Sequence, residues 1–493
     1  MDRKAPLLAR MLLMLTAGIL AAACSPYSVN VPREEAPLPR EVILRQWEAK
    51  SRETIESQQG PLTAERAVEE ALGASPELEQ IRQRMKAAAE QVRQADSTFY
   101  PRLIVSEEYN ITNNPVYALM DIINQRRLRP DTDFNYPGTQ QNFGSRIRGE
   151  WSLFEGGSHW YERKAAIAQQ RSANAELPAA RNQMAAKVTE IYYQWLQALA
   201  FTGVAERALE SAQTDERLGE ARVRAEAALP SELLRLKARR AEAHGNLVTA
   251  RTNVQKFQAG LERLMVRPIK ASEAPDPGIP AVAVTAQVDD YQKDPGRYVE
   301  IALDKRPEMA AVRSLIQAAR ERVKSSQSGL LPRLGTNVQY QLDSQNLGTF
   351  ADSWFVGVQA TWPLFEGGLS ISRIAEARSR LKEVQARGEQ IALDIALEVN
   401  QATLAVQDAA EKIQVADERR KWAGKALGEV RQIYARQAAT VDSLLQAELA
   451  WNQAEVSYTA ALYEGKIAQA FLRKALGDFA EGIAEVSDQG SLR

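Results

Sequence analysis

Leu153-Phe154-Glu155-Gly156-Gly157 recurs as Leu364-Phe365-Glu366-Gly367-Gly368, each time two residues after a Trp, Trp151 and Trp362. The offset is 211 residues, and it persists without a gap through Leu233-Leu234 and Leu444-Leu445 to Leu261 and Leu472. Upstream a second pairing runs at offset 231: Ala71-Leu72 with Ala302-Leu303, Pro76-Glu77 with Pro307-Glu308, and Pro101-Arg102-Leu103 with Pro332-Arg333-Leu334. The offsets differ by 20, so the first copy carries 20 extra residues between its Pro-Arg-Leu and its Trp. Self-similarity at a fixed spacing decides architecture before any residue is read singly. The chain is a tandem duplication with one enlarged loop.

Each copy follows one plan. A helix comes first, over Thr63–Thr98 and Tyr298–Ser328, and two short strand-like runs follow. A very long helix is predicted over Ser158–Ala225 and Ser370–Arg436, then a turn and a last helix over Ser231–Leu264 and Val441–Leu476. Ile391, Ile395, Val399, Ala402, Val406, Ala409, Ile413 and Ala416 step by four and three, the spacing of a coiled-coil seam. At ~1.5 Å per residue such a helix is a rod of roughly 100 Å. Pro178 lies inside the first rod, where loss of a backbone donor and a ring clash predict a kink or break. The copies occupy residues 62–265 and 298–477, a Pro-rich extended connection runs over 266–297, and a tail follows over 478–493.

The strand runs alternate as membrane-barrel strands do. Phe143, Ile147, Trp151 and Leu153 share one face of the second run, opposite Arg146, Arg148 and Glu150. Leu334, Val338, Tyr340 and Leu342 oppose Arg333, Asn337, Gln339 and Gln341 in the third, and Trp354, Val356, Val358, Ala360, Trp362 and Leu364 oppose Gln359 and Thr361 in the fourth. The first run, Leu103 to Ile111, places Glu107 among its apolar residues, a costly position in lipid. The competing reading is a soluble antiparallel sheet with one buried face. It needs a covering layer, and the long Ala-rich helices are poorly suited to fold back as one. The expected fold is therefore mostly α with a β-barrel portion: duplicated helical hairpins plus four transmembrane strands per chain. Arg146, Arg148 and Glu150 are placed in the lumen. Four strands leave open edges that lipid does not tolerate, so copies must associate. A trimer supplies twelve strands on a twelve-helix ring about one axis; a dimer or tetramer also closes.

The N-terminus supplies the matching context. Arg3, Lys4 and Arg10 precede the apolar run Met11–Ala23, which is shorter than a membrane-spanning helix and reads as a secretory signal over 1–23. Leu20-Ala-Ala-Ala-Cys24 resembles a bacterial lipobox with Leu one place early, so Cys24 is the expected lipidation site; ordinary cleavage after Ala23 is the alternative. Residues 24–61, with Pro26, Pro32, Pro37 and Pro39, then form a lipid-anchored leader. The expected location is the bacterial outer membrane, with a long periplasmic part.

Composition removes other classes. Basic and acidic residues number 62 and 63, no footprint for nucleic acid. One Cys and two isolated His, His159 and His244, leave no disulfide framework, metal cluster or nucleophile–base constellation. No cofactor is expected beyond a covalent lipid on Cys24, and no enzyme activity.

With the duplicated Leu-Phe-Glu-Gly-Gly, the two Pro-Arg-Leu strand starts, Leu444-Leu445-Gln446-Ala447-Glu448 followed by Ala454, and the long loop from Asn113 to Asn135, the chain resembles the outer-membrane factor (TolC-like) efflux and secretion channels. That resemblance implies a homotrimer, docking to a periplasmic adaptor and an inner-membrane transporter, and the role of exit duct in a tripartite system. It places the adaptor-docking tips at Ala225-Glu226-Ala227 and Arg436-Gln437-Ala438, which here lack the family's usual Gly. It places the periplasmic gate at Ser443 and Gln446, the positions at which many members carry Asp-x-x-Asp, with Asp442 adjacent. A ring of Asp442 carboxylates would favour cations; the plain alternative is an acidic residue at a helix start. A periplasmic coiled-coil lipoprotein scaffold without channel activity is the competing function. The transported substrate and the pump class are not legible.

Overall fold

The computed structural model describes residues 60–275, 295–436 and 438–477. The signal, Cys24, the leader, Gln437, most of the Pro-rich connection and the tail over 478–493 lie outside them. The elements run in the predicted order. They are α1 (Ala64–Ala74), α2 (Pro76–Ser97), β1 (Arg102–Thr112), α3 (Pro115–Asn124), β2 (Gln140–Glu155), α4 (Ser158–Arg224) and α5 (Pro230–Met265). The second copy gives α6 (Pro295–Lys305), α7 (Pro307–Ser328), β3 (Arg333–Ser344), β4 (Ala351–Thr361), α8 (Leu369–Ala435) and α9 (Val441–Ala475). The two long helices, α4 and α8, are both 67 residues long.

The structure departs from the sequence reading at several boundaries, most of them at proline. The opening helix of each copy is two helices, because Pro76 and Pro307 lack a donor and push the preceding residue out of the helical region. Ser75 is extended, caps α1 through its N–H to Ala71, and accepts from the Leu78 N–H through Oγ at 3.3 Å. β4 stops at Thr361, since Pro363 cannot extend the ladder; Trp362 and Leu364 lie beyond it. The connection is not wholly extended: Ala271–Glu273 forms a 3₁₀ turn, and α6 already begins at Pro295. Pro178 does not interrupt α4, whose flanking Leu177 and Ala180 are held against a buried apolar cluster.

The chain divides into two compact units. The first comprises Lys86–Gln170 and Ser314–Gln385. It contains one antiparallel sheet in the order β1-β2-β3-β4, with β1 and β4 as its edges. Both copies join helix to sheet alike. Trp151 Nε1 donates to the Phe99 carbonyl at 3.0 Å, and Trp362 Nε1 donates to the Leu330 carbonyl at 3.1 Å. The Gly pairs take the same left-handed angles, φ 63° and 88° at Gly156 and Gly157, 61° and 88° at Gly367 and Gly368. This region is open to Gly at little cost and strained for other residues.

The second unit, within the described residues, comprises the chain up to Met85, Arg171–Arg313 and Ala386 onward. Its cores are seams between helices. Trp195, Tyr192, Met184 and Val188 of α4 bury against Leu62, Val68, Leu78 and Leu261. Ile395, Val399, Ala402, Val406 and Ala409 are the buried stripe of α8, packed on Ala468 and Leu472 of α9. Arg267, just past α5, is buried and bidentate: its guanidinium donates to Glu70 at 2.6 and 3.0 Å and to Glu273 at 2.8 and 3.0 Å. Those contacts hold its own pKa up and pull the Glu273 carboxyl below the ordinary range despite burial.

Candidate conduction path

The sheet register sorts its side chains into two faces. Val105 pairs with Ile147, Ile147 with Tyr340, and Tyr340 with Trp354, which defines one face across all four strands. Leu103, Tyr109, Ile111, Phe143, Trp151, Val338, Val356 and Val358 share it. The most exposed of this face are Leu103 at 75% and Trp354 at 74%, although they are apolar. A bulge between Ser152 and Phe154 shifts the end of β2, so that Phe154, opposite Leu334, continues the apolar row. Glu107 also stands on this face and accepts a 2.6 Å hydrogen bond from Ser145 Oγ, which offsets part of its burial cost in an apolar medium.

The other face is charged. Arg146 donates to Glu108 at 2.8 Å, Arg148 lies 3.6 Å from Glu150, and Arg333 lies 3.4 Å from Glu155. Asn142 Nδ2 donates to Asp343 at 2.7 Å. The three lumen residues read from the sequence, Arg146, Arg148 and Glu150, therefore lie on one face, together with Glu108, Asp343 and Arg333. Helix α3 of the enlarged loop covers part of this face. Gln125 Nε2 donates to the Gln141 carbonyl at 2.8 Å and to Asn142 Oδ1 at 3.0 Å. Burial, with Asp343 and Glu108 nearby, pushes the Asp121 carboxyl above the ordinary range against the pull of Arg146.

The helical tips lie in the second unit. At the first, α4 closes through Ala227 N–H to the Arg222 carbonyl at 2.8 Å and Glu226 N–H to Val223 at 3.0 Å. Ala225 follows the helix, and Glu226 takes the left-handed conformation, φ 57°, that glycine usually fills. At the second, Arg436 and Ala438 close α8 onto Ile433, while Gln437 is outside the described residues. Asp442 occupies the first turn of α9, and Arg235 Nη1 donates to it at 2.5 Å. Thr440 caps α9 by accepting from the Ser443 N–H, and Gln446 is exposed on the next turn.

Beyond the tips the structure contains a buried ionic cluster that the sequence reading missed. Glu448 of α9 accepts from Ser211 Oγ of α4 and from Arg431 Nη2 of α8, both at 2.9 Å. Asp215 of α4 lies 4.0 Å from Arg431. Burial and the neighbouring Glu448 push the Asp215 carboxyl up to about 8, against Arg431 and Ser211, so it carries the proton of the pair. Glu448 is held below the ordinary range despite burial. Arg222 stacks on Tyr434, 4.5 Å from its ring centre. The cluster ties the first copy's long helix to both helices of the second hairpin. Its signal is Glu448 itself, four residues after buried Leu444 and seven after buried Val441 on an otherwise apolar seam.

Among the described residues no group of three His, Cys, Asp or Glu is placed to hold a metal, and no helix is long and apolar enough to cross a membrane. The first unit thus carries an amphipathic four-stranded sheet, and the second carries long antiparallel helical hairpins. The sequence pattern of the outer membrane efflux protein family matches residues 67–266 and 298–478, and the chain belongs to that family. It acts as an outer-membrane exit duct of tripartite efflux. No curated protein matches the sequence significantly. Solved structures share the fold. A membrane protein from Pseudomonas aeruginosa has TM-score 0.73 and 19% identity over 85% of this chain and 91% of that one. The outer membrane protein VceC from Vibrio cholerae has TM-score 0.70 and 19% identity over 84% and 96%. The CmeC outer membrane channel of Campylobacter jejuni has TM-score 0.70 and 16% identity over 86% and 89%.

Proposed function

We propose that three copies close their sheets edge to edge into a twelve-stranded barrel anchored by lipid at Cys24, with the helical hairpins forming a periplasmic tube. A periplasmic adaptor docks at the tips, and an inner-membrane transporter feeds the tube. One observation carries this reading: a sheet with an apolar and a charged face whose two edge strands have no partner strand among the described residues. In lipid each unpaired backbone group costs several kcal/mol, so such edges require a neighbour. A second apolar stripe on α8 supports it. Leu393, Leu397, Leu404, Val415 and Trp422 are all exposed, on the side away from the buried seam, where an adjacent copy would cover them. The scaffold reading accounts for the helices and leaves the charged sheet face without a role.

Transport involves no chemical step. The apolar face holds the barrel in the bilayer, Arg146, Arg148, Glu150 and their neighbours keep the lumen hydrated, and the tips close the tube at rest. The cluster of Asp215, Glu448 and Arg431 holds α4 to the second hairpin, so opening has to break or carry it. Asp442 is paired with Arg235, so a carboxylate ring at the aperture forms only when that pair parts. Native mass spectrometry of the detergent-extracted full chain tests the assembly: three lipidated chains per particle are expected. A stable monomer, or a particle with no conductance in a planar bilayer, overturns the reading.

A further inference from the structure

Helix α3 is apolar along its free side and mixes polar with apolar groups on its covered side. Its sheet-facing side holds Ala118, Asp121 and Ile122, with Gln125 just past its end, at 0, 8, 6 and 8% exposure. Its free side holds Val116, Tyr117, Met120 and Ile123 at 64, 66, 50 and 40%. An amphipathic helix normally turns its apolar stripe inward. Here polar groups face the sheet: Gln125 binds Asn142, and Asp121 stands among Asp343, Glu108 and Arg146. All of these lie on the charged face of the sheet. Arg126, at the end of α3, also donates to the Asp352 carbonyl of β4 at 2.9 Å, so the helix end reaches the far strand.

The charged face is the inside of the barrel, because lipid excludes it. Helix α3 therefore lies within the mouth, at the strand ends joined by the enlarged loop, and its apolar side looks toward the barrel axis. Twelve strands spaced about 4.8 Å apart and tilted roughly 40° give a barrel about 24 Å across, backbone to backbone. Three helices, each about 10–12 Å wide, need a circle of roughly 22–26 Å. The wall's own inward side chains take up part of that width, so three such helices at the mouth have no room to stay clear of one another.

We propose that the α3 helices of three copies meet at the axis through Val116, Tyr117, Met120 and Ile123 and form an apolar constriction at the outer end of the channel. The occupant of each exposed stripe is thus the same stripe of a second copy. Such a ring restricts ions and water by dewetting and yields to bulky or apolar cargo that displaces the side chains. The inference rests on the trimeric reading above and adds a second closure, distinct from the one at the helical tips.

The test uses Met120→Cys and, separately, Tyr117→Cys in the full-length chain, treated with a short bismaleimide, with the unsubstituted protein as the control for Cys24. Covalent dimers and trimers are expected from both variants and not from the control. Monomer alone from both variants, in a sample that native mass spectrometry shows to be trimeric, overturns the constriction and leaves the trimer standing. A monomeric sample overturns both. In planar bilayers, Tyr117→Asp with Met120→Asp should raise the open-state conductance at least twofold; an unchanged conductance also overturns the constriction.

Discussion

Replacing Asp215 by Asn isolates the one carboxylic acid that the helical cluster holds protonated. The Asp215 carboxyl titrates near 8 in the folded chain against an ordinary value of 3.8, because burial and Glu448 both disfavour its charge. A raised folded pKa means that the native state keeps a proton that the unfolded chain has released. The stability that the Asp215 proton contributes is therefore fully present below about pH 4 and is lost as pH rises toward about 8. Each pH unit in that window removes at most ~1.4 kcal/mol, and the slope fades near the folded value, so the loss between pH 6 and 8 is roughly 2 kcal/mol. Halving this for solvent at the cluster's edge, where Arg431 is 43% exposed, leaves roughly 1 kcal/mol. Glu448 does not mask the effect: its lowered pKa places its own titration below that window. The assay is hydrogen exchange of peptides spanning Arg431 to Glu448, converted to opening free energies at about pH 6 and 8.5. The parent chain should open more easily at the higher pH by that amount, and Asp215→Asn should flatten the difference. Equal pH differences in the two proteins would refute the shared-proton account.

Arg267→Met removes one of the two guanidinium partners of the buried Glu273 carboxylate, Arg66 at 2.8 Å being the other, and should cost about 1.5–3 kcal/mol, read as a lowered thermal midpoint; an unchanged midpoint would contradict the network. Gly156→Ala and Gly367→Ala share nearly the same strained φ, yet only at Gly156 would the new Cβ meet backbone, at 2.4 Å from the Ser328 carbonyl oxygen. Gly367→Ala should cost ~1–2 kcal/mol and Gly156→Ala clearly more, checked by thermal melts of the two variants side by side. Glu226→Gly relieves the left-handed turn at the first tip and should stabilise it by up to ~1 kcal/mol, seen as slower exchange of the Ala225 and Ala227 amides. Arg235→Ser frees Asp442 and should raise cation preference in bilayer recordings; unchanged selectivity would remove Asp442 from the aperture.

The duplication made the fold legible, because a pattern seen twice in register identifies itself. The seam residues Ile395, Val399, Ala402, Val406 and Ala409 were readable from their spacing alone, since burial in a coiled coil follows periodicity. The two-residue alternation likewise sorted Arg146, Arg148 and Glu150 onto the charged face. The first helices were read through Pro76 and Pro307 as single elements, although the proline rule was available there. Two features were out of reach for another reason. The Asp215–Glu448–Arg431 cluster joins residues more than 200 positions apart in its longest step, so no local pattern brings them together. The apolar free side of α3 has meaning only once the sheet face beneath it is known to be charged.

The open edges of β1 and β4 also bear on the life of the chain before it reaches its final place. A newly exported copy carries two unpaired strand edges and the bare apolar row along α8. Exposed edges of this kind template pairing with whatever strand arrives first. Correct assembly is then a race between meeting two sister copies and meeting anything else, so yield depends on local concentration and on how briefly each copy travels alone. Overproduction and slow delivery become opposite routes to the same waste product, a mispaired aggregate. For such a chain, the supply rate belongs among the determinants of folding, alongside the sequence.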